Sequence, residues 1–204
     1  MIMCGMSAAF SVLFGTPMAA AIFSMEVVSV GIMHYAALVP CVISSLIAQG
    51  IAHYCKIAPE QFLLTSVPEL SIASGTAIAV LAILCALVST LFCVVLHSGE
   101  NLYKKYLPNP YTRIFIGGLL MVLLTFLVGN QDYNGAGMDM ITRCFENDYK
   151  SYSFLLKMLF TAVTLGAGFK GGEIVPSFFI GASFGCMMGN LAGFAPELCT
   201  AVGM

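Results

Sequence analysis

The stretch Lys170-Gly171-Gly172-Glu173-Ile174-Val175-Pro176-Ser177-Phe178-Phe179-Ile180-Gly181-Ala182-Ser183-Phe184-Gly185 sets two charges and two adjacent glycines between apolar segments. Upstream, Gly166 and Gly168 already loosen an uncharged run, Met158 to Phe169, that is short for a bilayer crossing; downstream, a second uncharged run extends from Ile174 to Pro196. Paired glycines let the backbone turn tightly and come close to a ligand. Pro176 has no N–H to lose and is preorganised for a first helical turn. The N–H groups just before and around it have no intrahelical partner. With the positive end of the helix dipole they form an anion site that needs no cation. Two readings follow. In one, half-helix ends meet near the bilayer midplane around a bound ion, where charged residues are functional candidates. In the other, a surface loop joins two ordinary helices.

Composition places this break in lipid. The chain has 204 residues, 59% hydrophobic and only 9% charged, with a mean hydropathy of +0.95; a soluble domain carries about 25% charged residues. The net charge of −2 gives no basic patch for a nucleic-acid partner. Of the 8 cysteines, Cys4, Cys41, Cys85, Cys93 and Cys186 sit in apolar runs, where a thiol packs as a small hydrophobe. No C-x-x-C pair or His/Cys cluster has metal spacing, so no metal or cofactor is expected. The first residues lack the basic start of a signal peptide, and their apolar run continues to Met25.

Charges divide the chain into the runs Met1 to Met25, Val27 to Cys55, Leu70 to Gly99, Ile114 to Gln131, Met158 to Phe169 and Ile174 to Pro196. A helical span needs about 20 apolar residues, so four or five of these runs can cross. They must be helices, because lipid satisfies no open sheet edge, and the alternating segments of a membrane barrel are missing. Lys56 to Glu69, with two prolines, reads as a loop. Glu100 to Arg113, with Lys104, Lys105, Pro108, Pro110 and Arg113, reads as a second loop and as cytoplasmic, which puts Lys56 to Glu69 outside. Gly129 to Lys150 is polar and reads as a cover over one membrane face. His34, His53 and His97 are expected at or near helix ends. Gly181-Ala182-Ser183-Phe184-Gly185 matches the G-x-S-x-G nucleophile pattern, but no strand precedes it and no histidine follows it. Gly181, Gly185 and Gly189 share one helix face, a spacing that fits close helix packing in the membrane. Ser183 is therefore not read as a nucleophile, and no enzyme is expected.

Two segments resemble one family. Residues 171–185 resemble the G-x-F-x-P region of CLC chloride channels and anion/proton antiporters, with its following glycine-rich helix. Gly-Gly-Glu-x-x-Pro followed by Ser-Phe-Phe-Ile-Gly-Ala is more similar to the fluoride/proton antiporter branch. Phe14-Gly15-Thr16-Pro17-Met18-Ala19-Ala20-Ala21-Ile22-Phe23-Ser24-Met25-Glu26 resembles the family's F-N-A-P-L-A-G-x-L-F-x-x-E helix. The matches lie in the family's order, and the resemblance covers essentially the whole chain. It implies an all-α integral membrane fold: a CLC-type helical bundle with broken, re-entrant helices and inverted repeats. Residues 1–204 would form one transmembrane domain, with 1–55 the end of the first repeat and 70–204 most of the second. It also implies a multi-pass protein of the cell membrane that moves an inorganic anion, fluoride favoured over chloride, in exchange for protons. A homodimer through helices that include the first two here is implied as well.

The expected anion-binding residues are Gly172, Glu173, Ile174 and Val175, acting through backbone N–H groups. Glu173 is the proton-handling or gating candidate, its alternative being an acid favoured in a first helical turn. Lys170 either raises local anion concentration or snorkels at the surface. Ile174 stands where the family has phenylalanine, and Val27, next to Glu26, stands where its chloride/proton exchangers have the inner proton glutamate. The family's G-S-G-I-P-like and G-R-E-G-P-like segments and its pore tyrosine have no match in this stretch, which would therefore hold one wall of a pore. The rival readings are a non-transporting membrane scaffold and a broken-helix transporter of another substrate.

Overall fold

A computed structural model describes residues 1–28, 31–59, 72–146 and 150–204, the side chains of residues 72 and 73 excepted. The described residues form nine α-helices and one 3-10 turn, without a strand. They divide into two compact units, Met1–Phe62 and Leu63–Met204.

The first unit holds α1 (Ile2–Phe14), α2 (Pro17–Val28) and α3 (Leu38–Tyr54). The expected continuous run from Met1 to Met25 is broken. Gly15 caps α1 in the left-handed conformation, at φ 68°, and Pro17 starts α2. Neither piece, of 13 and 12 residues, reaches the ~20 residues of a span. Three polar contacts hold α1 to α3. Ser7 Oγ donates to the Cys41 carbonyl and Ser11 Oγ to the Ser45 carbonyl, both at 2.8 Å, and Gln49 Nε2 donates to the Gly15 carbonyl at 3.1 Å. Each joins residues 34 apart in sequence, so the two helices run parallel in register. Each bond also places a side-chain polar group that lipid could not solvate. Ala21, Met25 and Cys41 fill the space beneath.

The second unit holds α4 (Ile72–Tyr106), α5 (Pro110–Val128), α6 (Met138–Phe145), α7 (Ser153–Gly166), α8 (Ile174–Ala192) and α9 (Pro196–Gly203). α4 does not stop at Gly99. It continues through the expected loop to Tyr106, because Glu100 and Lys104 pair one turn apart at 2.6 Å and no helix breaker precedes Pro108. His97 therefore lies inside α4 rather than at its end. Asn109 caps α5 by accepting the Tyr111 N–H. Residues 60–71, most of the expected outer loop, lie outside the described residues.

Among the described residues, four helices are long and apolar enough to cross a membrane: Tyr35–Tyr54, Ser74–Tyr106, Pro110–Val128 and Ile174–Ala192. α5 leaves Phe115, Leu119, Val122 and Phe126 each more than 60% exposed, a surface suited to lipid or to other apolar helices. Gly129 to Lys150 is more than a cover. Its Tyr133 is buried between the rings of Phe160 and Phe179, and Met140, Ile141 and Cys144 of α6 are buried as well. The polar appearance of this segment comes from the one face of an amphipathic helix that stays out of the core.

After α8 the chain turns at Gly193 and returns as α9 along the glycine face. A Cβ at Gly181 would overlap the Gly203 carbonyl, and one at Gly185 the Cys199 carbonyl; at Gly189 it would lie 2.9 Å from Pro196 Cα. The three-glycine spacing is thus a packing surface for α9. Ser183 Oγ donates within its own helix, to the Phe179 carbonyl at 2.7 Å and the Ile180 carbonyl at 3.2 Å.

Candidate functional site

α7 and α8 pack side by side and antiparallel, Phe154 meeting Phe184 and Met158 meeting Ile180, with the glycine-rich linker between them. α7 has 14 residues, about 21 Å at ~1.5 Å per residue, short of the ~30 Å hydrocarbon core. It ends where the Ala167, Gly168 and Phe169 N–H groups bond the Val163, Leu165 and Thr164 carbonyls, at 3.1, 2.9 and 3.3 Å. Gly168 then takes φ +96°, with the Arg113 guanidinium packed 3.2 Å from where a Cβ would stand. The linker reaches Glu173, the N-cap of α8, whose side chain makes no capping hydrogen bond. Pro176 is the third residue of α8 rather than its first. That position is still within the first turn, whose N–H groups lack intrahelical acceptors, so the missing donor costs nothing. The Ser177 N–H makes the first regular bond, to the Glu173 carbonyl at 3.1 Å.

The expected site residues divide between two cavities. One, of about 330 Å³, is lined by Gly171, Gly172, Val175 and Pro176 from the start of α8. Lys157, Phe160, Thr161, Thr164 and Leu165 of α7, Met121 of α5, and Tyr133 to Ala136 of the α5–α6 connection complete it. The other, of about 410 Å³, is lined by Glu173 with Cys93, Leu96, His97 and Glu100 of α4 and with Leu165 and Gly166 of α7. α4 and α7 approach closely here, a Cβ at Gly166 falling 3.1 Å from the Gly99 carbonyl carbon. Gly172 and Val175 therefore face one space and Glu173 the other. Ile174 lines neither; it is half-buried, and its carbonyl accepts Ser177 Oγ at 2.6 Å. Lys170 is exposed. Glu26 is exposed and Val27 half-buried on α2, in the first unit.

Chemically, the first cavity offers the unbonded N–H groups of a helix start, the favourable end of its dipole and a buried ammonium. The second brings the imidazole of His97 and the carboxyl groups of Glu100 and Glu173 to one space, with the Cys93 thiol beside them. Lys157 escaped the sequence reading because the apolar run was started one residue after it, at Met158. The signal that finds it is a lone lysine inside Ser153-Phe154-Leu155-Leu156-Lys157-Met158-Leu159-Phe160, since an ionisable residue within a membrane helix has a reason to be there.

Residues 1–204, the whole chain, match the sequence family described as voltage gated chloride channel. The chain belongs to that family. It is 34% identical over 190 residues to a chloride/fluoride channel protein of Pseudomonas syringae pv. tomato, covering 90% of this chain and 42% of that protein. It is 25% identical to the voltage-gated ClC-type chloride channel ClcB of Citrobacter koseri, over 100% of this chain and 50% of that one. Among solved structures it resembles a CLC-type fluoride/proton antiporter, with a TM-score of 0.91 and 34% identity, over 98% of this chain and 51% of the other. The chain thus spans about half the length of the relatives it matches. As a voltage-gated chloride channel family chain it is an integral membrane protein with the CLC helical fold.

Proposed function

We propose that the complete protein carries an inorganic anion across the cell membrane in exchange for protons, and that fluoride is preferred over chloride. The observation that carries this reading is the start of α8. A helix N-terminus opens onto one cavity through Gly172 and Val175 while the adjacent Glu173 borders a separate cavity with His97 and Glu100. In this reading the backbone N–H groups of Gly172 and Val175, which line the first cavity, hold the anion, and Glu173, on the second, carries the proton. The two routes would touch at a single helix cap, which couples them. The likeness to the fluoride/proton antiporter and to the chloride/fluoride channel protein supports the choice of ion. Fluoride is small and strongly hydrated, so its site must replace lost water with strong donors. Helix-end N–H groups supply part of that. Residues 1–55 would belong to the end of one inverted repeat and residues 70–204 to most of the next, and the working unit would be a homodimer in the bilayer.

The test is anion efflux from liposomes containing the complete native protein. Wild type should release fluoride faster than chloride and acidify the lumen in step with the anion, since protons enter as the anion leaves. Glu173→Gln should lose proton coupling. Faster chloride than fluoride efflux would overturn the ion assignment, and unchanged fluoride transport and coupling in Glu173→Gln would return that carboxylate to a helix-start role.

A further inference from the structure

Lys157 is the one charged side chain within α7, and it is only 2% exposed. Its Nζ donates to the Gly135 carbonyl at 2.7 Å and to the Tyr133 carbonyl at 3.1 Å, and it lies 5.0 Å from the centroid of the Phe179 ring. These partners are dipoles and a π-face: they orient the ammonium and soften its desolvation, but none cancels its charge. The ion pairs among the described residues are Glu100 with Lys104 and Asp132 with Arg143, and neither involves Lys157. Among the described residues, a positive charge is thereby held inside a membrane unit with no carboxylate paired to it. Such an arrangement is costly unless a counter-charge arrives from elsewhere. The same ammonium lines the cavity onto which Gly172 and Val175 open, so two positive features from different elements converge on one space.

We infer that Lys157 is the fixed counter-charge of a small monovalent anion bound in this cavity, the ammonium and the start of α8 sharing the ion between them. The inference rests on the anion reading given above and adds to it a residue and a charge rule. One buried positive charge is neutralised by one halide-like anion, whereas a divalent oxyanion leaves an uncompensated negative charge. The carbonyls of Tyr133 and Gly135 keep the ammonium from collapsing onto the ion, so the anion is held by the field of a restrained charge and can still leave.

The competing role for Lys157 is a staple that fastens the Tyr133–Gly135 segment to α7 and has no business with ions. Anion-dependent thermal stabilisation of the purified complete protein separates the two. Wild type should show a saturable rise in melting temperature with fluoride and no such rise with sulfate at matched ionic strength. In Lys157→Met the half-saturating fluoride concentration should rise by about tenfold or more, the effect of removing one nearby charge from a poorly screened site. Lys157→Gln, which keeps a donor for the two carbonyls without the charge, should show the same loss if the Met variant does not survive purification. Lys157→Arg, which keeps the charge, should stay within about threefold of wild type. A Met or Gln variant that melts lower yet keeps the wild-type half-saturation would overturn the inference and leave the staple. Equal stabilisation of wild type by sulfate and fluoride would overturn it without any variant. If wild type shows neither anion-dependent stabilisation nor efflux, the anion reading itself has failed.

Discussion

Replacing Gly185 by alanine tests the α8–α9 hairpin at the middle of its glycine face. The added methyl group would overlap the Cys199 carbonyl, which is backbone and cannot rotate away. Either α9 shifts outward or α8 bends, and both disturb the neighbouring contacts at Gly181 with Gly203 and Gly189 with Pro196. Overpacking of this kind costs about 1–3 kcal/mol. The better helix propensity of alanine returns at most about 1 kcal/mol. A net loss of about 1–2 kcal/mol corresponds to a melting temperature lower by about 2–8 °C for a chain of this size. Gly50→Ala in α3 is the matched control, because a Cβ there meets nothing within 4 Å and the same propensity gain acts alone. The assay is thermal unfolding in detergent, read as the loss of monodisperse protein on size exclusion, with the two variants run beside wild type. Gly185→Ala melting at or above wild type would refute the packed hairpin. A drop equal in Gly50→Ala would show that any alanine is harmful and that the contact with α9 explains nothing.

Two further expectations follow. Gly137→Ala should destabilise by at least about 1–2 kcal/mol from its left-handed backbone alone, at φ +79°. Because its Cβ would also fall 2.6 Å from the Phe179 ring and 3.5 Å from Lys157 Nζ, it should weaken anion stabilisation as well; wild-type melting with full anion response would contradict the description of that segment. Cysteines placed at Tyr106 and Ala58 should react with impermeant reagents from the cytoplasmic and the external side respectively, as Lys104, Lys105 and Arg113 require; the opposite labelling would reverse the assigned orientation.

The helix start at the candidate site was legible from residue order, because its signals are local. Charges at 170 and 173 beside paired glycines mark a break in an apolar pattern, and any helix that begins there exposes unbonded N–H groups, whatever surrounds it. The glycine face of α8 was legible for the same reason: a four-residue period puts Gly181, Gly185 and Gly189 on one side of any helix. The membrane environment needed only composition. The resemblance to CLC proteins, on residues 14–26 and 171–185, pointed to the family that the whole chain matches.

What only the tertiary structure decided concerns which surfaces meet, since that depends on groups far apart in sequence. Nothing local says that Tyr133 and Gly135 will accept hydrogen bonds from Lys157, residues 24 and 22 positions away. Without those partners Lys157 reads as the end of an apolar run instead of a charge inside one. Nor does periodicity reveal that Glu173 and its neighbours Gly172 and Val175 face separate cavities, for that is set by how α4 and α7 cross at Gly99 and Gly166. The continuation of α4 through Glu100 to Tyr106 follows the same logic in reverse. Charge count marked a loop, but a helical turn lets Glu100 and Lys104 pair, and charged residues at a helix end need not leave the helix. The sequence by itself determined that a helix would begin beside a charge in the membrane. The packing of distant segments around that beginning decided which spaces it opens onto.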